Sequence, residues 1–457
     1  MNIQTNNSGR ITASFRDPSG YVYFENGRVF RRINERGKAD FEEFVKSGLA
    51  ETLVKRGFLV PFEITGQNAD SITICPEYIP FVTYPYEWSF SQLRDAAAAT
   101  LEICRISLDY GFCLKDASAF NLTLHNGRMC FIDHTSFVRY DEGAPWCAYK
   151  QFCKQFVSPL LLMKMVSPEC LDLLKCNVDG IELDLTSKLL PLRSRFSLFA
   201  LLHIHLHSAA DLKYSSADGK QVNVFMPKHR LRRLFDGLLY DIRHLKADKI
   251  KTLWQDYYDN TNYSDDSFEH KKQLVEDFCR RKTPNVLLDL GANSGVFSEI
   301  GCKYSKQVIA ADYDAGAVEM LYLKCRGGKK RLIPVKLDLF NPTPSVGQFN
   351  SERSSFFSRC HADCFLGLAL MHHLRVTGNW RIEDIVRLFS MTEQCALAEF
   401  VPLEDTQMQR LVRGRHEIYS DWTIDNVTSA FAKHFRKVTT TEIKGTSRIM
   451  IELDNKM

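Results

Sequence analysis

The chain has 457 residues, 45% hydrophobic and 25% charged, with a formal net charge of only +4. At about 150 residues per domain that length calls for two or three cores. The composition excludes a collagen-like, disulfide-stapled or largely disordered chain, and the weak positive balance neither requires nor excludes a nucleic-acid partner.

No stretch approaches the ~18 apolar residues of a membrane span, and MNIQTNNSGRITASFRDPSG at the start lacks an apolar signal region. A cytoplasmic protein without a membrane span is therefore expected. Fourteen cysteines without a CxxC pair read as reduced, mostly buried thiols. Cys360, His361 and Cys364 come nearest to a metal cluster, but no second ligand pair accompanies them, so packing is expected and no metal.

In chain order, Tyr21 to Arg32 holds two β-type runs around Asn26-Gly27, the dipeptide of a type I′ hairpin. From Ala39 to Arg56 apolar residues recur at helical spacing, predicting one helix with Gly57 at its C-cap. Phe58 to Thr83 reads as β-rich, and Gln92 to Leu108 as a helix stopped by Asp109-Tyr110-Gly111. Asn121 to Leu124 and Arg128 to Ile132 form two short strands around Asn126-Gly127.

Lys150 to Leu245 is mostly helical, with breaks expected at Ser158-Pro159, Ser167-Pro168, Asn177 to Gly180 and Ser215 to Gly219. His203, His205 and His207 alternate there. On a helix they should not share a face, and packing or surface roles are expected. The polar stretch Asp256 to Asp266 reads as the join between two halves, 1–250 and 251–457.

Beyond it, Val286 to Leu290, Gln307 to Asp312, Leu332 to Leu337, Asp363 to Ala369 and Cys395 to Glu399 are apolar strands, most of them separated by helical patterns, as in a parallel sheet covered by helices. Phe435 to Thr441 and Arg448 to Leu453 are joined by only a few residues. That is too short for a parallel crossover, so the last strand should run antiparallel.

The first of these strands turns through DLGANSG, Asp289 to Gly295, into a helix, where backbone amides can approach a ligand. Three details separate this turn from a dinucleotide site. Asn293 replaces the middle glycine of GxGxxG, which disfavours close approach by a pyrophosphate. Asp289 precedes the first glycine, an acid better suited to a cationic ligand than to a diphosphate. Asp312 follows the second strand at the roughly 20-residue spacing of a ribose-binding carboxylate.

DLGANSG, VIAADYD, KLDLFNP and DCFLGLALMHHL, in that order, resemble the signature segments of class I S-adenosylmethionine-dependent methyltransferases. The resemblance covers Trp254 to Met457 and implies a Rossmann-like, mostly parallel sheet with an antiparallel last strand. It implies that Asp289, Gly291, Asn293 and Gly295 line the cofactor's amino-acid end, that Asp312 binds ribose, and that Asp338 lies beside adenine. Asp363 would open the strand leading to the substrate and is counted with the cofactor-binding residues. His372 and His373 follow that strand, where an imidazole could take a proton from a hydroxyl acceptor or only shape the pocket. Glu399 is a weaker candidate.

In the N-terminal half, Asp116, Asn121 and Asp133 are spaced like the catalytic loop and metal-binding aspartate of kinase-like phosphotransferases, which implies an α+β kinase-like domain and Mg-ATP. Arg31 or Arg32 stands where such proteins place a lysine, no glycine-rich loop precedes it, and DHTSF replaces DFG. Three readings stay open: a kinase-like fold that no longer transfers phosphate, an active phosphotransferase, and chance spacing.

As a whole, DPSGYVY, YPYEWSFSQLRDAA, LKDASAFN and DYYDNTNYS before DLGANSG resemble the NoeA family of rhizobial host-specific nodulation proteins. The expectation is an α/β enzyme that methylates a small molecule or glycan, linked to nodulation signals or surface glycans. Basic runs at Lys228 to Arg233 and Lys329 to Arg331 raise an RNA or protein methyltransferase as an alternative, and a scaffold with a vestigial methyltransferase domain is another. Oligomeric state is not encoded in any of these motifs.

Overall fold

The computed structural model describes residues 10–11, 14–215, 225–247, 264–328, 331–414 and 416–457. Parts of the expected break at Ser215 to Gly219, of the join at Asp256 to Asp266 and of the basic run at Lys329 to Arg331 lie outside these residues. The chain divides into two compact units, Met1–Ile250 with Thr343–Arg359, and Lys251–Pro342 with Cys360–Met457.

The first unit begins with a four-stranded antiparallel sheet of β1 (Gly20–Glu25), β2 (Arg28–Asn34), β3 (Phe62–Gln67) and β4 (Ser71–Pro76), in the order β1-β2-β4-β3. Asn26 (φ 49°) and Gly27 (φ 77°) both take positive φ, as a type I′ turn demands. The single helix expected over Ala39 to Arg56 is two, Glu35–Lys46 and Leu49–Lys55, because Gly48 adopts φ 82° between them. Ser89 and Gln92 form a capping box at the head of the long helix Phe90–Asp109, whose apolar side is buried. Short ladders follow: β5 (Phe112–Leu114) with β8 (Phe137–Arg139), and β6 (Leu122–His125) with β7 (Arg128–Phe131).

The helical remainder departs from expectation at Ser158-Pro159. A π-helical turn, Cys153–Val157, precedes helix Ser158–Met165, so the wider turn accommodates the proline where a break was expected. His203 and His207, spaced one turn apart, do share a face. Tyr149 Oη lies 2.6 Å from His203 Nδ1, and the Tyr149 ring stacks on His207 at 5.0 Å. His205 faces Ser187 and Ser194 instead.

Thr343–Arg359, drawn from between two strands of the second unit, belongs to the core of the first. Phe356 packs edge-on against Phe81 at 5.3 Å, and the Arg353 guanidinium lies 4.4 Å over Phe120. Arg359 pairs with the buried Glu87 and sits 3.8 Å over the ring of Tyr84.

The second unit is a seven-stranded sheet: β9 (Val286–Leu290), β10 (Gln307–Asp312), β11 (Leu332–Lys336), β12 (Cys364–Gly367), β13 (Cys395–Phe400), β14 (Phe435–Glu442) and β15 (Ile449–Lys456). The order is β11-β10-β9-β12-β13-β15-β14, with β9 to β13 parallel and β15 antiparallel to both its neighbours. β9, β12 and β13 are buried along their whole length, which explains their unbroken apolar runs. The order reverses between β9 and β12. Open parallel sheets bind ligands at such a switch point, at the carboxyl edge. No helix among the described residues is long and apolar enough to cross a membrane.

Candidate active site

The turn after β9 is laced onto the end of β10. The amides of Gly291 and Ala292 donate to the Ala311 carbonyl at 2.8 and 3.1 Å, and the Asn293 amide donates to Asp312 Oδ2 at 2.8 Å. Gly291 (φ 73°), Asn293 (φ 46°) and Gly295 (φ 80°) all take left-handed backbone, which glycine adopts freely and asparagine tolerates. Gly295 is constrained twice, since a Cβ there would meet Leu321 at 2.5 Å. At Gly291 a Cβ would find only Leu370, at 3.7 Å, so this part of the turn stays open.

Asp312, the last residue of β10, is the carboxylate to which the turn is tied. Its Oδ1 accepts the Asp314 amide at 2.9 Å, and burial pushes its pKa up to about 6 against the lowering effect of the amides. Asp289 is buried beneath the turn and accepts Ser298 Oγ at 2.5 Å. Its pKa is also pushed up to about 6, chiefly by burial, with Asp312 adding to the rise. Asp338 follows β11 at the same edge, where Oδ1 accepts the Phe340 amide at 2.8 Å.

Asp363 lies elsewhere. It precedes β12, and its Oδ2 accepts the amides of Asn285 (2.5 Å) and Val286 (3.1 Å), where β9 begins. Because β9 and β12 run parallel, that is the amino edge, roughly 13 Å of strand from the turn. Asp363 staples two strand starts together; the cofactor-side position expected for it is corrected.

His372 and His373 stand in helix Met371–Val376 beyond β12, with ring centroids 4.2 Å apart. Burial holds His372 well below the ordinary histidine range, with His373, Arg448 and Lys271 adding to the effect. Burial and Arg448 bring His373 down to about 4. Both rings are therefore neutral near pH 7, and His372 Nδ1 is buried without a hydrogen-bond partner. Low basicity makes either ring a weak proton acceptor.

A buried charged network that the sequence reading missed borders this pair. Lys271 Nζ lies 2.6 Å from Glu399 Oε2, Arg448 Nη1 3.2 Å from Glu399 Oε1, and Arg448 Nε 2.8 Å from Asp405 Oδ2. The signal was present in helix Asp265–Lys282. Phe268, Lys271, Val275 and Phe278 recur at 3-4-3 spacing, which places a lysine in an apolar stripe.

In the first unit Asp133 is enclosed by its own chain. Arg31 pairs with Oδ1, Thr135 Oγ1 donates to Oδ1 at 2.8 Å, and Ser136 Oγ donates to Oδ2. Burial opposes ionisation, yet Arg31 and the hydroxyls hold Asp133 below the usual carboxylate range. Asp116 moves the other way, raised by burial and by the charge of Asp133, and Asn121 lies at its carboxylate. Its Oδ1 accepts the Ser118 amide at 2.9 Å and Gln151 Nε2 at 2.7 Å. Glu43 pairs with Arg139 and Glu42 with Lys38, so Arg31 meets Asp133 rather than a helix glutamate. No group of three or more His, Cys, Asp or Glu side chains among the described residues could hold a metal ion.

The chain is 33% identical to nodulation protein NoeA of Rhizobium meliloti (strain 1021), over 97% of its own length and 95% of that protein. It belongs to the NoeA family. No protein-family profile matches it. Among solved structures it is similar to the N-methyltransferase NodS from Bradyrhizobium japonicum WM9 (11% identity, 43% of this chain, all of that one, TM-score 0.30). It is also similar to magnesium protoporphyrin IX methyltransferase (ChlM) from Synechocystis PCC 6803 with bound SAH (12% identity, 44% of this chain, 92% of that one, TM-score 0.31).

Proposed function

We propose that the second unit is an S-adenosylmethionine-dependent methyltransferase acting on a small-molecule or glycan acceptor. The observation that carries this reading is the turn Asp289 to Gly295, open at Gly291 and closed onto the carboxylate of Asp312, at the switch point of the sheet. These residues suit the cofactor: an ionised Asp312 would accept ribose hydroxyls, the Gly291 and Asn293 backbone would leave room for the amino-acid end, and Asp338 would serve the base. Asp289 acts through the turn, via Ser298, rather than by touching a ligand.

Bound S-adenosylmethionine would supply a methyl group on a positively charged sulfur. The chain then needs to align an acceptor and exclude water more than to provide a strong base. Neutral, weakly basic His372 and His373 fit an orienting or hydrogen-bond-accepting role at the acceptor side. Family membership with a nodulation protein favours a signal or surface glycan acceptor over RNA. The basic run of helix Lys228–His244 is partly spent inside the chain, since Arg232 pairs with Asp109. The test is transfer of labelled methyl into fractionated extracts of wild-type and deletion strains. Label entering only the deletion extract, on adding the protein, identifies the acceptor pool; no protein-dependent label in either extract removes the reading.

For the first unit we infer a kinase-like module that does not transfer phosphate. What supports this is the convergence of Asp116, Asn121 and Asp133, with Arg31 and two hydroxyls already occupying the aspartate a Mg²⁺ ion would need. Calorimetry with millimolar Mg-ATP should show no heat, and saturable binding would restore an active phosphotransferase.

A further inference from the structure

Ala369 follows β12 and takes φ 49°, a left-handed conformation that L side chains adopt at a cost. Its amide donates to Glu399 Oε2 at 2.9 Å. The next residue, Leu370, is the side chain that lies over Gly291, and its carbonyl accepts the amides of His373 (3.0 Å) and Leu374 (3.2 Å). One backbone kink therefore sets both the wall above the open glycine and the start of the helix bearing the histidine pair.

Glu399 is fully buried at the end of β13 and is fixed from two further sides, by Lys271 at 2.6 Å and Arg448 at 3.2 Å. Oε2 accepts from the Lys271 ammonium and the Ala369 amide and Oε1 from the Arg448 guanidinium, so both oxygens are committed. A glutamine could not replace it, because one of its two terminal atoms would present N–H groups to other N–H groups.

We propose that Glu399 is a positioning residue of the cofactor site: by accepting the Ala369 amide it holds that alanine left-handed, and so keeps Leu370 against Gly291. Lys271 and Arg448 serve the same end by holding Glu399 in place. The inference rests on the methyltransferase reading; Glu399, Lys271 and Arg448 lie outside its signature segments.

S-adenosylhomocysteine binding to the full-length protein, measured by calorimetry, tests it through a double-mutant cycle. Glu399→Gln should weaken affinity about tenfold, the scale of a left-handed alanine's cost. In an Ala369→Gly background, where the kink no longer needs holding, the same substitution should cost less than about threefold. A merely structural glutamate would show equal penalties in both backgrounds, and that result overturns the proposal. Ala369→Val keeps the charged network and opposes the kink; it should weaken binding by about tenfold or more. Should Glu399→Gln not fold, unchanged affinity in Ala369→Val overturns the proposal by itself. A wild-type protein that binds no S-adenosylhomocysteine overturns the methyltransferase reading, and this one with it.

Discussion

Asp133 in the first unit, two residues past β7, and Asp312 in the second, the last residue of β10, are both acids at strand ends, and their surroundings set them apart. Asp133 receives a guanidinium and two hydroxyls from its own chain, and is held ionised in spite of burial. Among the described residues Asp312 receives backbone amides and no side-chain cation, and burial lifts it to about 6. A carboxylate answered internally is a structural element. On the proposed reading, one held by backbone amides alone, in the turn that is open at Gly291, keeps lone pairs for a ligand's hydroxyls.

The sharpest way to break this contrast is Arg31→Met. It leaves Asp133 buried with its main counter-charge gone, and should destabilise the first unit by about 3–5 kcal/mol in chemical denaturation. A loss under about 1 kcal/mol would mean Asp133 is not internally spent. Asp312→Ala should have the next largest effect, on binding. Losing charge-assisted bonds to two ribose hydroxyls should weaken S-adenosylhomocysteine on the order of a hundredfold by calorimetry, and unchanged affinity would remove the assigned site. Asp363→Ala sharpens the comparison within the second unit. Without the acid that binds two strand-start amides, stability should fall by about 2 kcal/mol, while affinity for S-adenosylhomocysteine stays level. A parallel loss of affinity would return Asp363 to the cofactor side.

The seven strands of the second unit were legible because hydrophobic periodicity and short connections are local signals, and so was the place of Asp312 at the end of β10, at a short offset from DLGANSG. Asp363 was misplaced for a definite reason. A strand's signature segment names its residues without saying which edge of the sheet each one reaches, and only the parallel pairing of β12 with β9 decides that. The split of Ala39 to Arg56 into two helices depended on Gly48 taking a left-handed turn that helical spacing alone does not reveal. Lys271, Glu399 and Arg448 come from the first helix, the fifth strand and the head of the last strand of the unit. No local pattern links them. Thr343–Arg359 was equally hidden, because its partners Phe81, Tyr84 and Glu87 lie more than 250 residues earlier in the sequence.

The smallest expected effect is a pH slope, and its sign separates the two acids. Asp312 is raised to about 6 in the folded protein, above the usual value near 3.9. Ribose hydroxyls need the ionised form as acceptor, so affinity for S-adenosylhomocysteine should be level above pH 7. It should then fall about tenfold for each unit below pH 6, roughly 1.4 kcal/mol per unit. Asp289, raised to about 6 by burial, acts on stability in the same window. Between pH 4 and 6 the folded state holds a proton there that the unfolded chain has released, so this contribution stabilises at acid pH and is lost as pH rises through 6. The buried histidines oppose it. Their depressed values mean that below pH 6.5 the unfolded chain takes up protons the folded one refuses, and stability drops as pH falls toward 4. Stability therefore carries both signs, whereas the binding slope carries one, which makes calorimetry the cleaner measurement. Asp312→Asn removes the titrating group but turns its NH2 toward the Asn293 or Asp314 amide, so its binding should be weaker and flat from pH 5 to 8. A slope that persists in Asp312→Asn would assign the titration to another group and dissolve the contrast with Asp133.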